Sequence, residues 1–245
     1  MRPGKTSLWI MVGCLALCPA SAQAMHISEG ILPPSWAGLW FAVAIPAVLW
    51  GLRDIRLRGA REPRFKTLVG LVGAAVFLIS CMPVPIPVVG TCSHPCGTGL
   101  AAILIGPGPT VVVASIALLF QALFLAHGGL TTLGGNILSM GVGGAFSGYL
   151  AFLAVRKATG STAWAAFAAG LLSDWVTYAI TSTELTLALA DDGSRGRLFL
   201  AILTAFAPTQ VPLGIAEGFL SMAAYGFLSA RRPELVAVLP GKGAA

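Results

Sequence analysis

Residues 98–126, TGLAAILIGPGPTVVVASIALLFQALFLA, decide how often this chain crosses an apolar phase. As one uninterrupted apolar run they would make a single crossing. Gly106-Pro107-Gly108-Pro109 argues against that, because proline lacks an amide donor and glycine relaxes the backbone, so a helix should stop there. The break predicts a short helix over 98–106 and a second over 110–126. The first is too short to cross a hydrocarbon core of about 30 Å at about 1.5 Å per residue, and it is tolerable only if its irregular end faces protein.

Outward from this break, apolar runs bounded by Gly, Pro and charge predict helices over 36–52, 67–82, 98–106, 110–126, 136–155, 163–189 and 198–230. The last two are long and are expected to be broken, the final one near Pro208 and Pro212. Charge supports the division at Gly106. With Met25 outside and the two helices separate, eleven basic residues fall inside: Arg53, Arg56, Arg58, Arg61, Arg64, Lys66, Arg156, Lys157, Arg231, Arg232 and Lys242. Only Arg195 and Arg197 fall outside. A single span would flip everything after it, leaving eight inside and five outside. The positive-inside rule selects the first arrangement.

Composition supplies the class. The chain has 245 residues, 56% of them hydrophobic and 10% charged, with a mean hydropathy of +0.86. Soluble domains carry about 25% charged residues, so lipid must be the solvent here. We expect an all-α integral membrane protein: about seven transmembrane helices in a single bundle, the N-terminus outside after signal cleavage, the C-terminus cytoplasmic. The net charge of +6 is modest. No basic block is interleaved with aromatics, so nucleic acid is not expected as a partner.

Residues 1–24 read as a cleaved secretory signal, leaving a polytopic domain over 25–245. Arg2 and Lys5 charge the start, Leu8 to Leu17 is a short apolar stretch, and small residues follow to Ala24. Cleavage fits after Ala20-Ser21-Ala22 or after Ala22-Gln23-Ala24; the second makes Met25 the new N-terminus. An uncleaved first helix is the alternative. Cys92 and Cys96 flank His94 in a loop that an outward position would allow to form a disulfide. The same spacing is a weak zinc signal.

The three histidines, His26, His94 and His127, all fall on the predicted outer side. After cleavage the Met25 amine, the His26 amide nitrogen and the His26 imidazole can close two chelate rings. One more nitrogen completes a plane suited to Ni(II), Cu(II) or a similar ion. His94, in the Pro- and Gly-constrained loop Gly90–Gly97, is the best candidate. His127 stands before Gly128-Gly129 at a helix end, where capping alone explains it; with Asn136, Ser93 and Thr91 it is assigned to orienting the ligands.

Met25-His26-Ile27-Ser28-Glu29-Gly30-Ile31-Leu32-Pro33-Pro34 resembles the mature start of the CbiM/NikM family, the substrate-specific subunits of energy-coupling-factor cobalt and nickel transporters. Cys92-Ser93-His94-Pro95, Gly97-Thr98-Gly99-Leu100 and Phe120-Gln121-Ala122-Leu123 are similar to the cobalt branch. So are Ala126–Gly134, Asp174-Trp175-Val176-Thr177-Tyr178 and Gln210–Gly218. The resemblance covers essentially the whole chain after the signal. It implies a seven-helix fold, ligation by the Met25 amine, the His26 amide and imidazole, and His94, and import of Co(II) across the cell inner membrane for cobalamin synthesis. It also implies partners: a transmembrane coupling subunit, ATP-binding subunits and a small CbiN-like accessory membrane subunit. No organic cofactor is expected. Two residues depart from the pattern: Cys96 where a small residue such as Thr is expected, and Glu184 where Gln is expected.

Asp174 and Glu217 lie inside apolar helices, where ionisable groups default to functional hypotheses; a hydrogen-bonded structural role is the alternative. Gly70-x-x-x-Ala74 and Gly144-x-x-x-Gly148 suit close helix packing, within the chain or against a partner. The chain has no Gly-x-x-x-x-Gly-Lys-Ser/Thr loop, so ATP hydrolysis is left to partners and the chain is not expected to be an enzyme. Nickel uptake is the nearest rival function. An intramembrane metalloenzyme is the second, weakened because no acid neighbours His94 or His127 and His-Glu-x-x-His is absent.

Overall fold

Gly106 adopts φ 90° and ends one helix as the next begins. The computed structural model describes residues 23–24, 26–82, 84–86, 91–191 and 193–233. Among them the chain forms seven helical rods: α1 (Pro34–Arg61), α2 (Arg64–Ser80), α3 (Thr98–Ile105), α4 (Pro107–Phe124), α5 (Leu133–Thr159), α6 (Thr162–Leu189) and α7 (Arg195–Arg231). Three short strands, β1 (Gln23–Ala24), β2 (Val84–Ile86) and β3 (Thr91–Ser93), form a small sheet in the order β1-β3-β2. β1 runs parallel to β3, and β2 antiparallel.

Every residue of α3 is buried. The helix sits among α2, α4, α5 and α6, so a rod too short to span lipid meets protein on all sides. Gly99 and Gly148 make this possible: a Cβ on Gly99 would stand 2.3 Å from the Ala169 carbonyl oxygen, and one on Gly148 would stand 2.8 Å from Gly99 Cα. The Gly144/Gly148 pair therefore packs within the chain.

Four rods, α1, α4, α5 and α7, are long and apolar enough to cross a membrane. Leu39, Val43, Leu49 and Leu57 of α1, and Leu200, Phe219 and Phe227 of α7, stand exposed, as expected where the solvent is hydrocarbon rather than water. α6 is long but more polar. Ser173, Asp174, Thr177, Thr181, Ser182, Glu184 and Thr186 point inward and are buried, and α6 packs against both α5 and α7.

Several boundaries differ from expectation. α1 runs to Arg61, so Arg53, Arg56 and Arg58 ride on its last turns rather than in a loop, and only Glu62 and Pro63 separate it from α2. Helical backbone continues because nothing before Glu62 breaks it. α6 is unbroken, and α7 runs unbroken through Pro208 and Pro212. Prolines inside a helix are tolerated where neighbours serve the backbone. α6 packs along this stretch: Trp175 Nε1 donates to the Gln210 carbonyl at 3.1 Å, and Tyr178 Oη lies 3.0 Å from the Leu203 carbonyl, next to but not on the Thr204 and Pro208 carbonyls that the two prolines leave without an i→i−4 donor. Residues 137–144 of α5 are π-helical, a local widening that the apolar periodicity did not signal.

Candidate metal centre

The segment after β1 packs onto the bundle instead of trailing into solvent. Ile27 and Leu32 bury their side chains beside Trp40 and Leu185. Asn136 Oδ1 accepts from Ile27 N at 2.8 Å, and Asn136 Nδ2 donates to Ile27 O at 3.2 Å. Thr132 Oγ1 donates to the same carbonyl. Two residues on, the Glu29 carboxylate accepts from Thr131 N at 3.1 Å and from the Thr131 hydroxyl. These hydrogen bonds hold the Glu29 carboxyl below its usual range.

His26 is thereby pinned over His94 and His127. One ring nitrogen of each lies within 4.8 Å of the other two. The ring centroids are 4.6 Å apart for His26–His94, 5.0 Å for His26–His127 and 4.8 Å for His94–His127. His94 comes from the loop between β3 and α3, and His127 from the turn after α4. At that turn Ala126 takes the left-handed conformation, φ 49°, and His127 N bonds back to the Gln121 carbonyl at 3.2 Å. The residue turning the chain is thus Ala126, ahead of the expected Gly cap, and the turn returns the His127 ring to the cluster. Gly128 and Gly129 let the N-terminal segment approach: a Cβ on Gly128 would lie 3.3 Å from His26 Cβ, and one on Gly129 only 2.6 Å from Glu29 backbone.

The hydrogen bonds assign the tautomers. Pro95 O can only accept, so His94 Nδ1, 2.9 Å away, carries the proton and His94 Nε2 offers a lone pair to the cluster. Gln121 Nε2 donates to Ser80 O at 3.1 Å and Ser80 Oγ at 2.8 Å, which turns Gln121 Oε1 toward His26 Nε2 at 3.2 Å. His26 Nε2 is also 3.1 Å from His94 Nε2. A proton on His26 Nε2 satisfies both contacts and leaves His26 Nδ1, the nitrogen nearer its own backbone, unprotonated. Burial pushes all three imidazoles toward their neutral form. His26 falls well below its ordinary value, helped by the two neighbouring rings; His94 falls to about 3 and His127 to about 4. Neutral nitrogen donors at close quarters are what a late first-row metal ion requires.

A second layer fixes the His94 loop. Cys96 N and Gly97 N donate to the two oxygens of Glu217 at 2.7 and 2.8 Å. Gln210 Nε2 donates to Ser93 Oγ. Helix α7 therefore holds the loop on both sides of His94, with one polar residue near its middle and another two turns on. Cys96 is a free, buried thiol; the Cys92 side chain, with which a disulfide was expected to be allowed, lies outside the described residues. Burial, with Glu217 and Asp174 beside it, pushes that thiol up.

Of the residues singled out from sequence, His26, His94, His127, Asn136 and Ser93 come together here. His127 also joins the cluster, though its ring lies somewhat farther from His26 than that of His94, 5.0 against 4.6 Å between centroids. Met25, the side chains of Thr91 and Cys92, and most of the 1–24 leader lie outside the described residues. Sequence reasoning assigned no role to Gln121; a lone Gln inside the apolar run Leu118–Leu125 was the available signal.

A profile described as the cobalt uptake substrate-specific transmembrane region, CbiM, matches residues 26–235. The "Cobalt transport protein CbiM" of Sorangium cellulosum (strain So ce56) is 54% identical over 213 residues, covering 86% of this chain and 94% of that protein. The protein of the same description from Geobacter sulfurreducens is 52% identical over 227 residues, covering 93% of this chain but 65% of its own longer sequence. The Moorella thermoacetica protein is 44% identical over 243 residues, covering 98% and 93%. A crystal structure described as a truncated transition metal transporter superposes with a TM-score of 0.74 at 23% identity, covering 84% of this chain and 98% of that one. At that identity it establishes the shared fold.

Proposed function

This chain belongs to the CbiM family, the cobalt uptake substrate-specific transmembrane proteins, and from that premise we propose that it captures Co(II) at the His26–His94–His127 cluster for import. The observation that carries the reading is the approach of two buried imidazoles, His26 and His94, and the half-buried His127 to within 4.8 Å of one another. Buried imidazoles are ordinarily satisfied singly; three converging on one point form a donor set.

In this reading Met25 is the mature N-terminus. Its amine, the His26 amide nitrogen and His26 Nδ1 chelate the ion, and His94 Nε2 supplies a further donor. His127 and Gln121 orient the set, and Asn136 and Ser93 hold the backbone that carries it. The segment 26–32 both contributes a ligand and roofs the site, so loading and release require it to lift from Asn136, Thr132 and Thr131. Capture takes place on the outer face of the inner membrane, with residues 53–66 on the cytoplasmic side. The chain is a transport subunit, and ATP hydrolysis belongs to ATP-binding partners, coupled through a transmembrane subunit and a small CbiN-like accessory protein. The imported cobalt serves cobalamin synthesis.

Metal analysis of the full chain, purified from membranes grown with Co(II) and Ni(II) together, tests the reading. Co(II) bound in the wild type and absent from His94→Ala is expected. A preparation that binds neither ion would overturn it, and Ni(II) held in preference would shift the cargo.

A further inference from the structure

Cys96 follows His94 by two residues, and its buried thiol meets Asp174 of α6. We propose that Cys96, Asp174 and Glu217 form a second site for a divalent transition-metal ion, a station on the inward path of the cargo. The identity of that cargo rests on the function proposed above; the site itself does not. The three residues come from the loop before α3, from α6 and from α7. One ligand atom of each lies within 4.8 Å of the other two, and all three residues are buried. Cys96 Sγ is 3.8 Å from Asp174 Oδ1. Asp174 Oδ2 has no hydrogen-bond partner although the residue is 0% exposed.

Two arguments favour a cation here. The first is charge. The donors to these carboxylates, the Cys96 and Gly97 amides and the Cys96 thiol, are all neutral. Buried carboxylates must be paired, protonated or bound to metal, and the unpartnered Asp174 oxygen shows that hydrogen bonding has not completed the job. The second is donor chemistry. One sulfur and two carboxylate oxygens with a free fourth position suit Co(II) or Zn(II) and not Mg(II) or Ca(II), which take oxygen alone. Such ions hold sulfur at about 2.3 Å and oxygen at about 2.0–2.2 Å, so small side-chain rotations close the spread. Each Glu217 oxygen accepts one amide bond and keeps a second lone pair. On binding, the Cys96 thiol gives its proton to solvent and the thiolate takes the metal.

His94 and Cys96 share one short loop, which places the two sites next to each other along the chain. An ion leaving nitrogen donors at the outer cluster meets sulfur and oxygen donors on the bundle side of the same loop.

The test is a Co(II) titration of the purified full chain, followed by bound equivalents and by thiolate-to-cobalt charge-transfer absorption in the near ultraviolet. Wild type is expected to show that absorption together with a second equivalent. Cys96→Ser should lose both and keep the first equivalent. Asp174→Asn, nearly isosteric, should weaken the second equivalent roughly tenfold or more, and it decides the matter if Cys96→Ser does not fold. The His26→Ala/His94→Ala/His127→Ala variant should keep the absorption. No charge-transfer band in saturated wild type overturns the site; so does a band that survives Cys96→Ser or disappears with the histidines. A wild type that keeps the Cys96 band and whose bound equivalents do not change on removing the histidines overturns capture at the histidines alone.

Discussion

Asn136 grips the main chain of Ile27 with both ends of its carboxamide, at 2.8 Å to the amide and 3.2 Å to the carbonyl. That grip sets where His26, one residue earlier, presents its ring. Asn136→Asp keeps the acceptor but places carboxylate oxygen against the Ile27 carbonyl. We predict a loss of Co(II) affinity of roughly 10–100-fold, the usual cost of disturbing a residue that orients a ligand, with the bundle still folded. Isothermal titration of the purified variant reads it, and an unchanged affinity would show that His26 needs no such clamp.

His94 and His127 make similar approaches to His26, yet different outcomes are expected. Pro95 O directs the His94 lone pair into the cluster, so His94→Ala should abolish uptake. His127→Ala should weaken binding by roughly 10–100-fold. Complete loss in both variants would make His127 a direct ligand and the centre more than planar.

The histidines and the Met25 amine respond differently to pH. A depressed histidine pKa leaves neutral donors available well below the ordinary value of about 6.5, while a free α-amine titrates near about 7.7–8.0. The His26 amide nitrogen gives up its proton on binding at every pH, which by itself makes affinity fall about tenfold per unit; a steepening to about a hundredfold per unit below about pH 7.7 marks the amine as a further ligand, and a slope that does not change there excludes it. The sign for folding is also determined. The unfolded chain gains protons on these histidines that the folded chain refuses, so the apo protein loses stability as pH falls from about 6.5 toward the folded-state values. A thermal melt series from neutral to acid pH should show midpoints dropping in that window.

Glu29 backbone leaves no room at Gly129, where a Cβ would stand at 2.6 Å. Gly129→Ala should therefore lift the N-terminal segment, increase protease sensitivity after Glu29 and eliminate uptake. Retention of wild-type uptake would show that the segment need not close over the site.

The N-terminus and orientation are open to direct measurement. N-terminal sequencing should find Met25 first, and one Ala inserted between Met25 and His26 should abolish tight binding by enlarging a chelate ring. A cysteine placed at Glu62, exposed between α1 and α2, should react with a membrane-impermeant thiol reagent only after lysis. Cys96 is unsuitable as a topology reporter because it is fully buried.

Membrane class, the number of rods and the break at Gly106 were legible because each is local. Hydropathy, a missing proline donor and a glycine's freedom act within a few residues. The pairing of His26 with His94 was also within reach, since charge asymmetry placed both on one side. Pro208 and Pro212 misled for the complementary reason: the helix that carries them runs on packed against α6 along its length, and no local rule contains that neighbour.

By itself, then, the sequence determined the solvent, the helices and the inventory of nitrogen donors. Only the tertiary structure decided that Gln121 would aim its oxygen at His26, that His127 would return to the cluster behind a left-handed Ala126, and that Glu217 would hold the His94 loop by two amides. The first and the last of these relations join residues 95 and 120–121 positions apart. They depend on how α4 and α7 pack against the loops, and side-chain direction across such distances is set by packing, which local propensity does not encode.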